Sequence, residues 1–403
     1  MELLERFINY ITIDTESDEA NAGIKQPSSD CQWELIRVLE KELLELGASV
    51  RVSEYGIVYA KFQASTGLED KTAFGMIAHM DTVQNGTKIK PCVIESYNGE
   101  NLPLSDGTVL SLSENPELAK LKGRSLIVSD GTTILGADDK AGVAAIMHMC
   151  QRMVTEKIPH GNVCVAFTPD EEIGCGVDHF DLDAFGAKYA VTVDGGAENS
   201  IEYENFNAAH AHIDAAGVQS HPGSAKGIMV NAAAALCEFQ NRLPKEQVPE
   251  CTEEKEGFYH LMGMEAYVEK GHLDYLIREF DAKEFAAKKE RMHQIAEQIN
   301  KEMNREVLSV DIVDSYYNMA EIIEKNRQLL TNIEDAMKES GLTPEYLPIR
   351  GGTDGCRLSF MGLPCPNIGA GGYLFHSKHE HCSLEGMELA ANVLLELVKI
   401  YAK

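Results

Sequence analysis

The chain has 403 residues, and 36 Lys and Arg against 64 Asp and Glu leave a formal net charge of −28 at pH 7. Hydrophobic residues make up 44% and charged residues 25%, a composition that excludes a disordered chain. Because so acidic a chain repels phosphate groups, we expect neither nucleic acid nor anionic membrane as a partner and expect cations instead. The length predicts two or three domains, each with its own core.

The N-terminus carries acids where a signal peptide needs bases, and no apolar stretch approaches the length of about 18 residues that a membrane span requires. The ten cysteines include no C-x-x-C pair, so we interpret most of them as small buried hydrophobic residues in a reducing compartment. Both observations predict a cytoplasmic protein.

Helical and strand-like patterns alternate in the first half of the chain. Strand, helix and strand in succession, with apolar residues on both faces of the strands, are typical of a mostly parallel α/β sheet. The predicted elements are a helix over 30–46, a strand over 73–78, a helix over 140–156, and strands over 162–167 and 189–193.

The pattern changes after about residue 207 and returns to the first type from about residue 322. The intervening elements predict a two-layer α+β unit of βαββαβ type inserted into a discontinuous α/β domain, whose last helix covers 385–402. Within the insert the predicted elements are strands over 210–215, 272–280 and 307–315 and helices over 231–243 and 282–305.

Four short polar clusters each follow a predicted apolar strand. Ligands bind beyond the carboxyl ends of strands in open α/β sheets, so side chains at these four positions would converge on one place. The clusters are His79-Met80-Asp81, Asp138-Asp139, Asp170-Glu171-Glu172 and Asp194-Gly195-Gly196.

One histidine among several carboxylates, without cysteine, suits a Zn²⁺ site with nitrogen and oxygen ligands. Acids crowded at one sheet edge would repel one another, and two divalent ions would neutralise them. Asp81 could accept from the second nitrogen of His79 and fix its tautomer. Of the adjacent pair Glu171 and Glu172, one could ligate while the other takes a proton from water.

Each cluster also has a structural explanation. A His-x-Asp tripeptide occurs by chance, and Asp138 or Asp139 could cap the helix that follows. The acids at 170–172 could form a solvated turn, and Asp194 could belong to a simple glycine turn. On the residues alone, a metal site and four unrelated turns both remain open.

Six motifs, in the same order along the chain, resemble those of the M20 metallopeptidases. The longer stretches around Arg350 and His376 point to the tripeptide aminopeptidases of that family rather than to its other members. The motifs are Gly75-Met-Ile-Ala-His-Met-Asp-Thr82, Leu135-Gly-Ala-Asp-Asp-Lys-Ala-Gly142, Phe167-Thr-Pro-Asp-Glu-Glu-Ile-Gly174, His221-Pro-Gly-Ser-Ala-Lys-Gly227, Ile349-Arg-Gly-Gly-Thr-Asp-Gly355 and Phe375-His-Ser-Lys-His-Glu380.

The resemblance implies two Zn²⁺ ions per chain, with Co²⁺ or Mn²⁺ as substitutes. His79 and Asp194 would ligate one ion and Glu172 and His376 the other, with Asp138 bridging the two. These five assignments come from the family positions of the residues.

The resemblance also implies that Glu171 is the general base, that Asp81 orients His79, and that the peptide bond between Asp138 and Asp139 is cis. Family position selects His376 as the ligand over two nearby histidines. We interpret those two, at positions 379 and 381, as exposed surface residues.

Three further residues are implied in substrate binding. His221 would stabilise the oxyanion, and Arg350 would bind the substrate carboxylate in a bidentate manner, with Arg278 as a weaker candidate for the same work. The ordinary alternatives are a solvent-exposed loop histidine and an arginine in a surface salt bridge.

The resulting expectation is a zinc-dependent aminopeptidase that releases the N-terminal residue of tripeptides. Its zinc-peptidase-like catalytic domain (1–206 and 321–403) would carry an inserted ferredoxin-like lid (207–320) that closes over the substrate. The alternatives are another M20 activity (dipeptidase, carboxypeptidase or N-acyl amino-acid deacylase) or a non-catalytic metal- or peptide-binding protein, against which Glu171 argues. The sequence leaves a monomer and a homodimer, paired along the sheet edge of the insert, both open.

Overall fold

A computed structural model describes residues 1–86 and 88–403, which divide into two compact units. The first unit contains Met1–Tyr203, Glu321–Leu347 and Thr353–Lys403, and the second contains Glu204–Ala320 and Pro348–Gly352. The described α-helices, in chain order, are α1 (Leu3–Ile11), α2 (Gln32–Glu45), α3 (Ala137–Thr155), α4 (Leu182–Phe185), α5 (Ala232–Arg242), α6 (Ala282–Glu302), α7 (Ala320–Glu324), α8 (Arg327–Glu339), α9 (Asp354–Met361) and α10 (Leu384–Tyr401).

The strands range from two-residue pairs to ten-residue strands in the second unit. In chain order they are β1 (Ser49–Val52), β2 (Val58–Phe62), β3 (Phe74–His79), β4 (Cys92–Ile94), β5 (Leu102–Pro103), β6 (Val109–Leu110), β7 (Leu126–Val128), β8 (Val163–Thr168), β9 (Tyr189–Gly195), β10 (Ser200–Asn205), β11 (Asn207–Ala216), β12 (Phe258–Ala266), β13 (Lys270–Glu279), β14 (Leu308–Tyr316), β15 (Glu345–Ile349), β16 (Asn367–Gly369), β17 (Gly372–Tyr373) and β18 (His381–Ser383).

The main sheet has the order β1-β2-β8-β3-β9-β16-β10-β15. The centre is parallel, since β3 runs parallel to β8 and β9, and β16 runs parallel to β9. Towards the edges the pairing is antiparallel, at β1–β2, β2–β8 and β10–β16. The α/β fold class is confirmed, but the description "mostly parallel" holds only for the four central strands, because a short hairpin connects β1 and β2 and forces them antiparallel.

Every residue of β3 and β8 is buried. Strands covered on both faces read as continuous apolar runs, which is why the sequence pattern located them. Helix α3 packs against β3 and against α10, and α10 also packs against α8. This core holds the carboxyl ends of the central strands in place.

A second sheet of the first unit, β17-β18-β7-β4, was not predicted. Its strands are two or three residues long, and periodicity cannot identify elements that short. It is antiparallel throughout and supports the segment that leads into α10.

The second unit follows the predicted order β11-α5-β12-β13-α6-β14 and forms an antiparallel sheet in the order β12-β13-β11-β14. Alternation along β11 places one set of side chains in the core and the other set outside. Ala211 and Ile213 are buried, whereas His210 and Asp214 are exposed. The core between sheet and helices contains Leu236, Phe239, Tyr275, Ile277, Phe285, Met292, Ile295 and Ile299.

No helix among residues 1–86 and 88–403 combines the length and the apolar character that crossing a membrane requires.

The alternation in the second unit predicts very different costs for two similar truncations. Ile213 on β11 is 0% exposed and Val313 on β14 is 61% exposed. We expect Ile213→Ala to lower the free energy of unfolding by about 2–5 kcal/mol, because it leaves a cavity. Val313→Ala should change the same free energy by less than about 0.5 kcal/mol. Urea denaturation followed by circular dichroism measures both, and equal midpoints would contradict this assignment of the core face.

Candidate metal centre

The candidate site lies in the first unit, at the carboxyl ends of its central strands. His79 is the last residue of β3, Asp194 lies at the end of β9, and Glu171 and Glu172 follow the end of β8. Because these strands are parallel neighbours, their carboxyl ends meet at one edge of the sheet. The convergence expected from the sequence is therefore present.

Asp138 lies between two imidazoles. Its Oδ1 is 2.9 Å from Nε2 of His79, and its Oδ2 is 3.1 Å from Nε2 of His376. Each carboxylate oxygen thus faces a different histidine. This is the arrangement that a bridging carboxylate needs, although Asp138 comes from the start of α3 and the two histidines come from distant parts of the chain.

Each imidazole has a second carboxylate of its own. Nε2 of His376 is 2.9 Å from Oε2 of Glu172, and Nε2 of His79 is 3.4 Å from Oδ1 of Asp194. The five side chains expected to be ligands therefore form one contiguous cluster. The peptide bond between Asp138 and Asp139 is cis.

The donor set fits divalent metal ions. In the described part of the chain, two groups of three residues each offer potential ligand atoms that lie within 4.8 Å of one another inside the group. One group is His79, Asp138 and Glu172, and the other is His79, Asp139 and Asp194. Imidazole nitrogen with carboxylate oxygen, without thiolate, is the donor set of Zn²⁺ and related ions. The residues present can therefore hold such ions.

Burial and mutual charge shift the ionisation of the cluster. Burial raises the pKa of Asp194 to about 8. Hydrogen bonds to Asp138 and Glu172 raise the pKa of His376 to about 10. Burial alone would raise the pKa of Asp138, but hydrogen bonds from His376 and His79 outweigh it and hold the pKa below the usual aspartate value. Without metal, the site thus keeps protons at neutral pH that a bound cation would replace.

Asp81 connects the histidine to the acidic loop. It is fully buried, and its Oδ1 lies 3.3 Å from Nδ1 of His79. Oδ1 also accepts from the backbone N–H of Glu171 at 3.0 Å, and Oδ2 accepts from that of Glu172 at 3.2 Å. The hydrogen-bond partner of Nδ1 of His79 is the backbone carbonyl oxygen of Asp81, at 3.1 Å. Asp81 can therefore fix the orientation of the imidazole through its main chain, with its carboxylate close by.

Glu171 has the environment of a general base with a raised pKa. Burial raises the pKa of its carboxyl well above the usual glutamate value, and the nearby charge of His79 offsets only part of that rise. The negative charges of Asp194 and Asp354 raise it further. Such a carboxylate binds a proton more readily than an exposed one.

Glu380 supports the site, and sequence reasoning gave it no role. Its buried carboxylate accepts the N–H groups of Leu135 at 2.6 Å, Gly136 at 2.8 Å and Asp138 at 3.0 Å. It thereby fixes the turn that presents Asp138. The only sequence signal was its place in the last motif, because an isolated acid in a polar stretch is normally exposed.

Asp139 shows that one of the structural alternatives was also correct. Its Oδ1 accepts the N–H of Gly142 at 3.1 Å, three residues ahead, as a helix cap does. Its Oδ2 accepts the backbone N–H of His79 at 3.2 Å. The backbone of Asp138 and Asp139 is not helical, so Asp139 caps the regular part of α3 that follows it and anchors β3, while Asp138 faces the imidazoles.

The interpretation of His379 and His381 as exposed was wrong. His381 is fully buried, and its ring stacks on Tyr373 with centroids 5.3 Å apart. Its Nδ1 lies 2.9 Å from the carbonyl oxygen of His379, which is itself half-buried. The unpredicted strand β18 explains the error, because it draws His381 into the small sheet.

The remaining three predicted residues lie in the second unit. The exposed His221 accepts the N–H of Gly223 through Nδ1 at 3.1 Å. Arg278 on β13 lies over the ring of Tyr316 at 5.4 Å. Arg350 donates to the carbonyl oxygen of Glu254 at 2.7 Å. Their roles in substrate binding stay predictions.

The raised pKa values predict that metal uptake releases protons. At pH 7, Asp194 and His376 in the metal-free protein both hold protons, and metal ligation requires their deprotonated forms. We expect a release of about one to two protons per chain when Zn²⁺ binds. Calorimetric titration at pH 7 in two buffers of different ionisation enthalpy measures it, and equal heats in both buffers would rule it out.

Comparison with known proteins shows which protein family the chain belongs to. Residues 130–400 match the model described as peptidase family M20/M25/M40. The chain is 46% identical over 407 residues to Peptidase T of Escherichia fergusonii, covering 100% of this chain and 99% of that protein. A second relative, Peptidase T of Clostridium perfringens strain 13, is 46% identical over 403 residues, covering 99% and 98% of the two chains.

The fold is also similar to that of a solved structure, the aminopeptidase PepT from Bacillus cereus. The TM-score is 0.78 at 22% sequence identity, and the match covers 100% of this chain and 98% of that one. Similarity to a structure at such low sequence identity supports the fold alone, whereas the matches to the family model and to the two full-length relatives show common ancestry. This chain therefore belongs to peptidase family M20/M25/M40 and, within it, groups with the Peptidase T proteins.

Proposed function

We propose that this chain is a metal-dependent aminopeptidase that removes the N-terminal residue from tripeptides. One observation carries the chemistry: Asp138 faces two histidines at 2.9 and 3.1 Å, with the buried carboxyl of Glu171 beside the cluster. The full-length relatives named Peptidase T support the substrate class. Binding alone would need no base of this kind.

The metal ligands in this proposal are His79 and Asp194 on one side and Glu172 and His376 on the other, with Asp138 between them. When bound, two Zn²⁺ ions would polarise the scissile carbonyl group and lower the pKa of the attacking water, and Co²⁺ or Mn²⁺ would suit the same ligands. The count of two rests on the two oxygens of Asp138, each of which faces a different histidine.

Glu171 accepts the proton of the attacking water as the new bond to the peptide carbonyl carbon forms. It then donates that proton to the departing amine, so one side chain serves as base and as acid. In the metal-free chain burial raises the pKa of this carboxyl, and the positive charge of bound metal ions would lower it towards the range in which the carboxylate can accept a proton. Asp81 holds the backbone of Glu171 and the ring of His79 in register for this transfer.

The two ends of the substrate call for opposite charges. A chain of net charge −28 attracts the free amine of a peptide. We assign the far carboxylate to Arg350, with Arg278 as the alternative, and stabilisation of the developing oxyanion to His221. Binding of both peptide ends would make the enzyme selective for length.

The ten cysteines of the chain are free thiols, which suits a reducing compartment. We therefore place the activity in the cytoplasm.

A substrate panel tests the function. We expect metal-free protein to be inactive, and zinc to restore hydrolysis of a tripeptide at its first peptide bond. Dipeptide, tetrapeptide and N-acetylated tripeptide should be cleaved at least about 10²-fold more slowly in kcat/KM, since they lack the right length or the free amine. Mass spectrometry of the products identifies the bond. Preferred cleavage of a dipeptide, of the C-terminal bond or of the N-acyl group would replace this function with another M20 activity.

Glu171→Gln tests the base. The amide keeps the size of the side chain but cannot accept the proton, so we expect kcat to fall by about 10²–10⁴-fold. Zinc content, measured by elemental analysis, should equal that of the wild type. Glu246→Gln, a change in the second unit far along the chain, is the control. A Glu171→Gln enzyme with normal zinc and near-normal turnover would refute the assignment.

Arg350→Ala tests carboxylate recognition. For the wild type, we expect kcat/KM to be higher for a tripeptide than for its C-terminal amide. The variant should lose about 10- to 100-fold of that preference, the value of hydrogen bonds to a charged group. Arg278→Ala is assayed with the same two substrates. If Arg278→Ala abolishes the preference and Arg350→Ala leaves it intact, the carboxylate belongs to Arg278.

A further inference from the structure

Asp170 precedes the proposed base and has an unusual backbone conformation. Its φ is +61°, in the left-handed region that few residues other than glycine adopt, and its side chain is fully buried. The turn made there directs the N–H groups of Glu171 and Glu172 onto the same partner, the carboxylate of Asp81. Successive N–H groups arranged in this way form a concave site for an anion.

Three donors hold the Asp170 carboxylate. Oδ2 accepts the backbone N–H of Ser28 at 2.7 Å, while Oδ1 accepts from Oγ of Ser28 at 2.5 Å and from Nε2 of Gln32 at 2.7 Å. Oγ of Ser28 accepts the N–H of Asp18 at 2.8 Å, which leaves its own hydrogen for Asp170. All three groups bonded to the carboxylate are therefore donors, and a side-chain amide could not satisfy all of them.

The other end of the same loop is also held. Gln26 donates from Nε2 to the carbonyl oxygen of Cys175 at 3.0 Å. From α9, Arg357 donates to the carbonyl oxygen of Gly174 at 2.6 Å and pairs with Asp178 at 2.5 Å. The segment that carries Glu171 is thus fixed at both ends, and Asp170 is the residue next to the base whose side chain is held by the segment around Ser28 and Gln32.

We propose that Asp170 is a positioning residue for the general base, holding the loop of Glu171 in register with Asp81 through Ser28 and Gln32. Asp170 does not touch the reacting atoms, because its carboxylate faces Ser28 and the first residue of α2, Gln32. It acts by setting the backbone direction from which the Glu171 side chain departs. This inference rests on the proposed role of Glu171 in tripeptide hydrolysis.

The test distinguishes the effect of losing the Asp170 carboxylate from the effect of changing the backbone conformation at that position. Asn and Gly both tolerate a positive φ, but neither supplies a carboxylate, so Asp170→Asn and Asp170→Gly share only the loss of the charged acceptor. We expect kcat for a tripeptide to fall by about 10²-fold in both variants, the cost of a small misplacement of a catalytic group. KM should stay within about 3-fold, since neither change touches groups assigned to substrate binding.

Ser28→Ala removes one of the three donors and keeps Asp170. It should give an intermediate loss in kcat, which keeps the proposal testable if the Asp170 variants fold poorly. The matched control is Asp181→Asn: Asp181 also accepts a backbone N–H, that of Ala184 at 2.9 Å, but lies at the start of α4 and should leave kcat unchanged. Zinc content and the thermal midpoint are measured for every variant.

Wild-type kcat in both Asp170 variants, or in Ser28→Ala together with one of them, would overturn the proposal. So would a loss of kcat that zinc loss fully accounts for, because Asp170 would then support Glu172 as a ligand rather than the base. Failure of the proposed function looks different, since wild-type protein with full zinc would itself not hydrolyse the tripeptide.

Discussion

The structure depends on the electrostatic cost of gathering carboxylates at one edge of a sheet. Asp138, Glu172 and Asp194 would repel one another strongly if they were all ionised without a counter-charge. In the metal-free chain this repulsion is relieved by protons and by the two imidazoles that flank Asp138. Bound divalent cations would relieve it more completely, and the water activation proposed here would follow from the same arrangement.

Much of the fold could be predicted from the sequence because its strands leave regular patterns of apolar residues, whereas the full set of candidate ligands, including His376, followed from the resemblance of the motifs to those of the family. Parallel strands buried on both faces are continuous apolar runs, so β3, β8 and β9 could be located, and their carboxyl ends were then marked by polar residues. In the second unit β11, β13 and β14 could be located because long strands with one exposed face alternate regularly, whereas the position of β12, whose burial pattern is irregular, was not predicted. The motif order identified the family, and that family is shown by the comparisons.

The features that could not be predicted depend on contacts between residues far apart in the chain, and such contacts leave no pattern in the local sequence. The small sheet of β4, β7, β17 and β18 consists of two- and three-residue strands, and without it the burial of His381 could not be anticipated. Glu380 and Asp170 each accept three hydrogen bonds, and the donors to Asp170 lie more than a hundred residues away. From the sequence alone, an acidic residue whose carboxylate is buried against distant hydrogen-bond donors cannot be distinguished from one in a solvent-exposed turn.

The hydrogen bonds that Glu380 accepts also affect how the protein gains its metal. The three hydrogen bonds that fix the turn before Asp138 join protein groups to one another, so that part of the conformational entropy of the chain is lost on folding. Ion capture then requires little ordering of the polypeptide, in contrast to zinc fingers, whose folding awaits the metal. We therefore expect the metal-free protein to stay folded and to bind metal again, rather than to unfold.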